Sequence, residues 1–152
     1  MTSAQPLRHV EILLVEDNDG DARLAMEALR DATFTHQLHH VRDGDEAMDF
    51  LHRRGRHAGA RRPGLILLDL NLPRKNGREV LSEIKSDARL RRIPVVILSA
   101  SSAEEDIARS HELHANCYVV KPLDLERFLE VTRSIVTFWL STVALPAVEA
   151  DG

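Results

Sequence analysis

The 152-residue chain is 43% hydrophobic and 29% charged, with a formal net charge of -4. That length suits one domain with a sizeable core, and the acidic balance argues against a nucleic-acid binder driven by bulk charge. No apolar run approaches the roughly 20 residues that span a bilayer, the first nine residues lack a signal-peptide core, and the single cysteine, Cys117, excludes an internal disulfide and fits a reducing cytoplasm.

Residues 1–8 read as a disordered leader, with Pro6 as a breaker. Ile12-Leu13-Leu14-Val15 is an apolar run of buried-strand type. It ends in Glu16-Asp17-Asn18-Asp19-Gly20-Asp21. Leu24, Ala25, Ala28 and Leu29 then share one helical face. Thr35 to Val41 is a polar strand containing His36, His39 and His40, which suits a sheet edge. Asp43 and Asp45 can cap a helix that runs to about Arg54. Residues 55–63 carry glycines and arginines without periodicity and read as a long loop. Its basic residues are read as solvated, since no aromatics interleave them.

Leu65-Ile66-Leu67-Leu68 is again a strand buried on both faces, and Asp69 follows it directly. Pro73 and Gly77 delay the next helix, which is expected over Arg78–Ser86. Taken alone, Asp69 fits a helix cap as well as a reactive carboxylate. Pro94 precedes the strand Val95-Val96-Ile97-Leu98, which ends at Ser99. Ser102 and Glu105 form a candidate capping box for a helix to about His114. Cys117 then starts the strand Tyr118-Val119-Val120, which ends in Lys121-Pro122. Asp124 caps a last helix to about Ser141, with Leu125, Phe128, Leu129, Thr132, Ile135 and Val136 facing inward.

Strand then helix, five times over, predicts an α/β parallel sheet with helices on both faces and right-handed crossovers. The polar second strand fits the edge of the order 2-1-3-4-5. In that fold the residues after strands one, three, four and five meet at one sheet edge. They are Glu16 and Asp17, Asp69 with Asn71, Ser99, and Lys121. Three carboxylates so placed repel one another unless a cation joins them. Mg²⁺ is the natural choice, because it takes one or two carboxylates plus phosphate and keeps its waters. Lys121 as a point charge and Ser99 as a donor complete a phosphate site. The set describes an aspartate that accepts a phosphoryl group in line.

With these residues in place, the chain resembles the receiver domain of two-component response regulators. The matching pieces are Glu16-Asp17, Asp69-x-x-x-Pro73-x-x-x-Gly77, Ser99-Ala100 and Lys121-Pro122, spread over roughly residues 10–138. The resemblance implies a flavodoxin-like (βα)5 fold and an aspartyl phosphate at Asp69, formed by attack on a kinase phosphohistidine. It implies direct Mg²⁺ binding by Asp17, water-mediated binding by Glu16, and a backbone carbonyl ligand from Asn71. Lys121 would grip a phosphate oxygen, and its bond to Pro122 would be cis. Ser99 and Tyr118 would be the switch pair. The protein would not be a conventional enzyme, but a phosphoacceptor that catalyses its own phosphorylation and dephosphorylation. Glu16 stands where a second Asp is common and Ser99 where Thr is common, and the 55–63 loop is longer than usual.

The expected organisation is a leader over 1–8, a receiver domain over 9–141, a tail over 142–152, and no output domain. Signalling would then go through protein–protein interaction. Phe138, Trp139, Leu140 and Val143 form an apolar cluster past the expected domain end, read as a homodimer interface. The long loop, the Val15-Glu16-Asp17-Asn18 start and the Phe138-Trp139-Leu140 tail are similar to the small receivers that partner bacterial phytochromes. That similarity implies a phytochrome-type histidine kinase as phosphodonor. Two rivals remain, a haloacid-dehalogenase-type phosphatase and a phosphorylation-independent receiver-like module. The first needs a second acid where Asn71 stands.

Overall fold

A computed structural model describes residues 9–30, 35–100 and 103–139. Each apolar run, and the polar second stretch, becomes a strand: β1 (His9–Val15), β2 (Thr35–Val41), β3 (Leu65–Leu68), β4 (Val95–Ser99) and β5 (Cys117–Val120). Between and after them lie α1 (Asp19–Leu29), α2 (Gly44–His52), α3 (Gly77–Ser86), α4 (Glu104–Glu112) and α5 (Leu125–Thr137). All four strand pairings are parallel and the order is β2-β1-β3-β4-β5, the flavodoxin-like arrangement expected.

Side chains alternate between the two faces of a strand, so a strand buried on both faces must be apolar throughout. Leu13, Val15, Ile66, Leu68, Val95 and Ile97 pack with Phe50, Leu51, Val80, Leu81 and Ile84 from α2 and α3. Ile12, Leu14, Leu65, Leu67 and Val96 face the other way, onto Ala22, Ala25 and Leu29 of α1 and Val136 of α5. Burial of this kind contributes about 25 cal/mol per Å² of apolar surface.

Three helix starts are capped by a side chain that accepts a backbone N–H: Asn18 for α1, Asp43 for α2 and Asp124 for α5. Asn76 and Glu79 form a full capping box at α3. No such cap opens α4. It starts at Glu104 with Ala103 in the cap position and no side-chain hydrogen bond, and the expected cap Ser102 lies outside the described residues. Of the nine residues of α4 only Ser110 is fully buried, and its hydroxyl finds no hydrogen-bond partner among the described residues.

β1 starts at His9, three residues before the apolar run, because the backbone ladder to β2 begins there, with His9 opposite Thr35. The polar residues of β2 are not simply solvated. His39 Nε2 lies 3.0 Å from Glu11 Oε1, and His40 Nε2 lies 2.7 Å from the Glu16 carbonyl oxygen. The 55–63 loop opens with a 3₁₀ turn, Gly55–His57. The His57 ring packs edge-on against Phe50, 5.2 Å between centroids, and Arg56 ion-pairs with Glu46. Arg56 is therefore folded onto an acidic helix of its own domain.

Further expectations need correction at the C-terminal side. Leu125 is 63% exposed rather than inward, because the buried stripe of α5 runs through Phe128, Thr132 and Val136 and its first turn stands clear of the core. Helix α5 spans Leu125–Thr137 and continues as a wider, π-type winding at Phe138 and Trp139, and the expected end near Ser141 lies outside the described residues. The Lys121–Pro122 bond is trans, as are all peptide bonds among the described residues. Trans is the ordinary preference even before proline, and here the Lys121 N–H donates to the Ser99 carbonyl at 2.7 Å.

Two helix N-termini press against the segment after β3. A Cβ at Gly77 would lie 2.3 Å from the Asp69 carbonyl oxygen, and one at Gly44 would lie 1.9 Å from the Lys75 carbonyl oxygen. Only glycine permits either approach. No helix among the described residues is long and apolar enough to cross a membrane.

Candidate functional site

Because the strands are parallel, their carboxyl ends share one edge. Asp69 follows β3, is 6% exposed, and its backbone N–H donates to Val15 of β1 at 3.1 Å. Its side chain is held from two sides. Oδ1 accepts the Asn71 N–H at 3.0 Å and Oδ2 accepts from Lys121 Nζ at 2.9 Å. Glu16, 3% exposed after β1, accepts from the Asn18 N–H at 3.2 Å and from Lys121 Nζ at 2.6 Å. Asp17 is exposed beside them. One oxygen each from Glu16, Asp17 and Asp69 lies within 4.8 Å of the others, a group that can hold a metal ion. Three hard oxygen ligands at that spacing fit a hard divalent cation.

The electrostatics follow from burial. Removal from water raises the Glu16 carboxyl to about 8. The Lys121 hydrogen bond opposes the rise and the Asp69 carboxylate adds to it. Burial alone would lower the Lys121 amine. Its hydrogen bonds to Asp21 and Glu16, with the charge of Asp69, outweigh burial and hold it above the ordinary lysine value. The corner thus keeps a permanent cation and excess negative charge.

Sequence reasoning thus brought together Glu16, Asp17, Asp69 and Lys121, and the structure places all four in one corner. Ser99 is fully buried at the end of β4, with its carbonyl bonded to Lys121. Asn71 is exposed, with its N–H on Asp69. Tyr118 on β5 is half-buried, at the margin of the core with Leu113 and Ala115. Asp21 was missed: its Oδ2 accepts from Lys121 at 2.8 Å. Its place in the first turn of α1, three residues after the cap Asn18, marked it only as an acid favoured at a helix start. Of the terminal cluster, Phe138 is 52% exposed and Trp139 packs partly on the chain's own core, their rings edge to face at 5.9 Å. Leu140 and Val143 lie outside the described residues.

Comparison with known proteins gives concordant matches. The family described as response regulator receiver domain matches residues 12–133. The response regulator Rcp1 of Synechocystis sp. is 52% identical over 136 residues, spanning 90% of this chain and 92% of that protein. The crystal structure of the phosphorylated cyanobacterial phytochrome response regulator RcpA superposes with a TM-score of 0.90 at 54% identity, over 92% of this chain and all of that one. The Mn²⁺-bound form of Rcp1 gives 0.88 at 51% identity, over 91% and 99%.

Proposed function

The chain belongs to the response regulator receiver domain family, and on that premise we propose that it accepts a phosphoryl group onto Asp69 from a sensor histidine kinase. The observation that carries this reading is the pairing of a buried carboxylate with a buried ammonium, Asp69 Oδ2 and Lys121 Nζ, 2.9 Å apart. A carboxylate oxygen of Asp69 forms the new O–P bond as the P–N bond to the kinase imidazole breaks and its electron pair returns to the ring. Lys121 passes from the carboxylate to a phosphoryl oxygen and neutralises charge there. The Asn71 N–H orients the Asp69 side chain. Ser99, buried at the neighbouring strand end, is the hydroxyl assigned to the phosphorylated state, with Tyr118 behind it on β5. Glu16, Asp17 and Asp69, with the Asn71 carbonyl, are the residues assigned to Mg²⁺, which when bound supplies charge neutralisation at the transferring phosphoryl group.

The kinase partner is assigned to the phytochrome type, supported by the likeness to RcpA and Rcp1. The same chemistry lets the protein phosphorylate itself from small donors and release phosphate by hydrolysis, and the site of action is the cytoplasm. Exposed Phe138, beside Trp139, supports a homodimer through the C-terminal region. The phosphatase rival finds no support at position 71, where Asn offers no acid.

The test is labelling by acetyl phosphate with Mg²⁺. Wild type takes up the phosphoryl group and Asp69→Asn does not. Equal labelling of the two removes the assignment.

A further inference from the structure

Lys121 has three N–H bonds to give and gives all three to carboxylates: Glu16 Oε1 at 2.6 Å, Asp21 Oδ2 at 2.8 Å and Asp69 Oδ2 at 2.9 Å. Glu16 and Asp69 belong to the group that fits a cation, and Asp21 does not. Asp21 also comes from a separate element, the first turn of α1, where its own N–H is pinned to the cap Asn18 at 2.9 Å.

We propose that Asp21 is a positioning residue for Lys121, the acceptor that holds its ammonium at the site both before and after Asp69 is phosphorylated. The inference rests on the phosphoacceptor reading above. An ammonium on a four-carbon stem has no geometric preference of its own, so its place is set by its acceptors. Once Asp69 carries a phosphoryl group, a phosphoryl oxygen can take over the N–H that its carboxylate held. A cation draws on Glu16 in the same state. Asp21 is then the one of the three with no other task. It is also the wettest, with a side chain 31% exposed against 4% for Glu16 and 7% for Asp69. Without Asp21 the ammonium relaxes onto Glu16 and Asp69, over the nucleophile itself. The plainer role, an acid favoured at a helix N-terminus by the dipole, leaves Lys121 untouched.

Wild type, Asp21→Ala and Asp21→Asn are compared by three measurements. One is the initial labelling rate with acetyl phosphate at saturating Mg²⁺. The second is the ¹⁵N ammonium NMR signal of Lys121, which a buried, fully bonded ammonium retains and a freely exchanging one loses. The third is Mn²⁺ affinity by calorimetry. Asp21→Ala is expected to label about tenfold more slowly, the scale of one lost charge-assisted hydrogen bond, and to lose the ammonium signal. Asp21→Asn keeps an acceptor oxygen, so the signal persists and most of the rate returns. Mn²⁺ affinity stays near wild type in Asp21→Asn, and in Asp21→Ala it falls by much less than the labelling rate, because the ammonium that shifts toward Glu16 and Asp69 competes with the cation but removes none of its ligands. Wild-type rate and signal in Asp21→Ala overturn the proposal. So does a loss of Mn²⁺ affinity in step with labelling, which would place Asp21 in the cation site, or a failure of Asn to rescue. If wild type takes no label, the phosphoacceptor reading fails, while the ammonium signal still decides whether Asp21 positions Lys121.

Discussion

Glu16, Asp17 and Asp69 crowd three carboxylates against one lysine whose N–H bonds are already taken. At such separations a like-charge pair such as Asp17 with Asp69 costs about 1 kcal/mol even near water. Asp17 is the member that can be changed without touching Lys121. Without divalent cations Asp17→Asn is expected to melt a few degrees above wild type, roughly the shift of 1 kcal/mol at this chain length. Adding Mg²⁺ should raise the wild-type melting temperature by mass action and leave the variant nearly unmoved. A variant that melts with or below wild type in the metal-free state would contradict the crowding. The four central residues were legible because each follows directly on an apolar strand, where alternation and topology fix the position. Asp21 was not, because its approach to Lys121 depends on the rotational phase of α1 against β5. Local spacing does not set that phase.

The edge pair β1–β2 shows what an element can hide. Glu11 lies in the middle of a strand yet is 8% exposed. Burial alone would raise its carboxyl, but the rings of His39 and His9, one on each oxygen, outweigh burial and hold it below the ordinary carboxylate value. A lowered carboxylate pKa contributes stability that is present above the unfolded value and lost as pH falls through the folded one. Glu11→Gln is therefore expected to be less stable than wild type at pH 6. The difference should close once the pH drops below the carboxylate range. Denaturant melts across that range check it, and a gap that persists in acid would rule the mechanism out. The position of β2 at the edge was readable from its polarity, whereas the pairing of its His39 with Glu11 was not, since the two lie on neighbouring strands. The failure at Leu125 has a general physical cause. Helix ends and first turns are placed by tertiary packing, and one residue of slippage moves a cap or turns a leucine outward.

At the level of the whole molecule, the strand–helix alternation determined the architecture, while association depends on surface. Phe138 is exposed and Trp139 is partly seated on the core formed by Val10, Ile12 and Leu14. Phe138→Ala is thus the cleaner probe of dimerisation, because it leaves that core intact. Sedimentation at micromolar concentration should show a dimeric wild type and a shift toward monomer in the variant. A monomeric wild type would remove the homodimer. The two glycines beside the segment after β3 bear on the same scale. With backbone at Gly77 and Gly44 already in contact with it, that segment has no clearance, and Asp69 stands in a tight seat. By contrast, α4 buries one serine and no leucine, isoleucine or valine fully. Room for change is therefore uneven in this domain: a side chain added at Gly44 or Gly77 has to displace backbone of the segment that begins at Asp69, whereas α4 can be repacked with little loss of buried apolar surface.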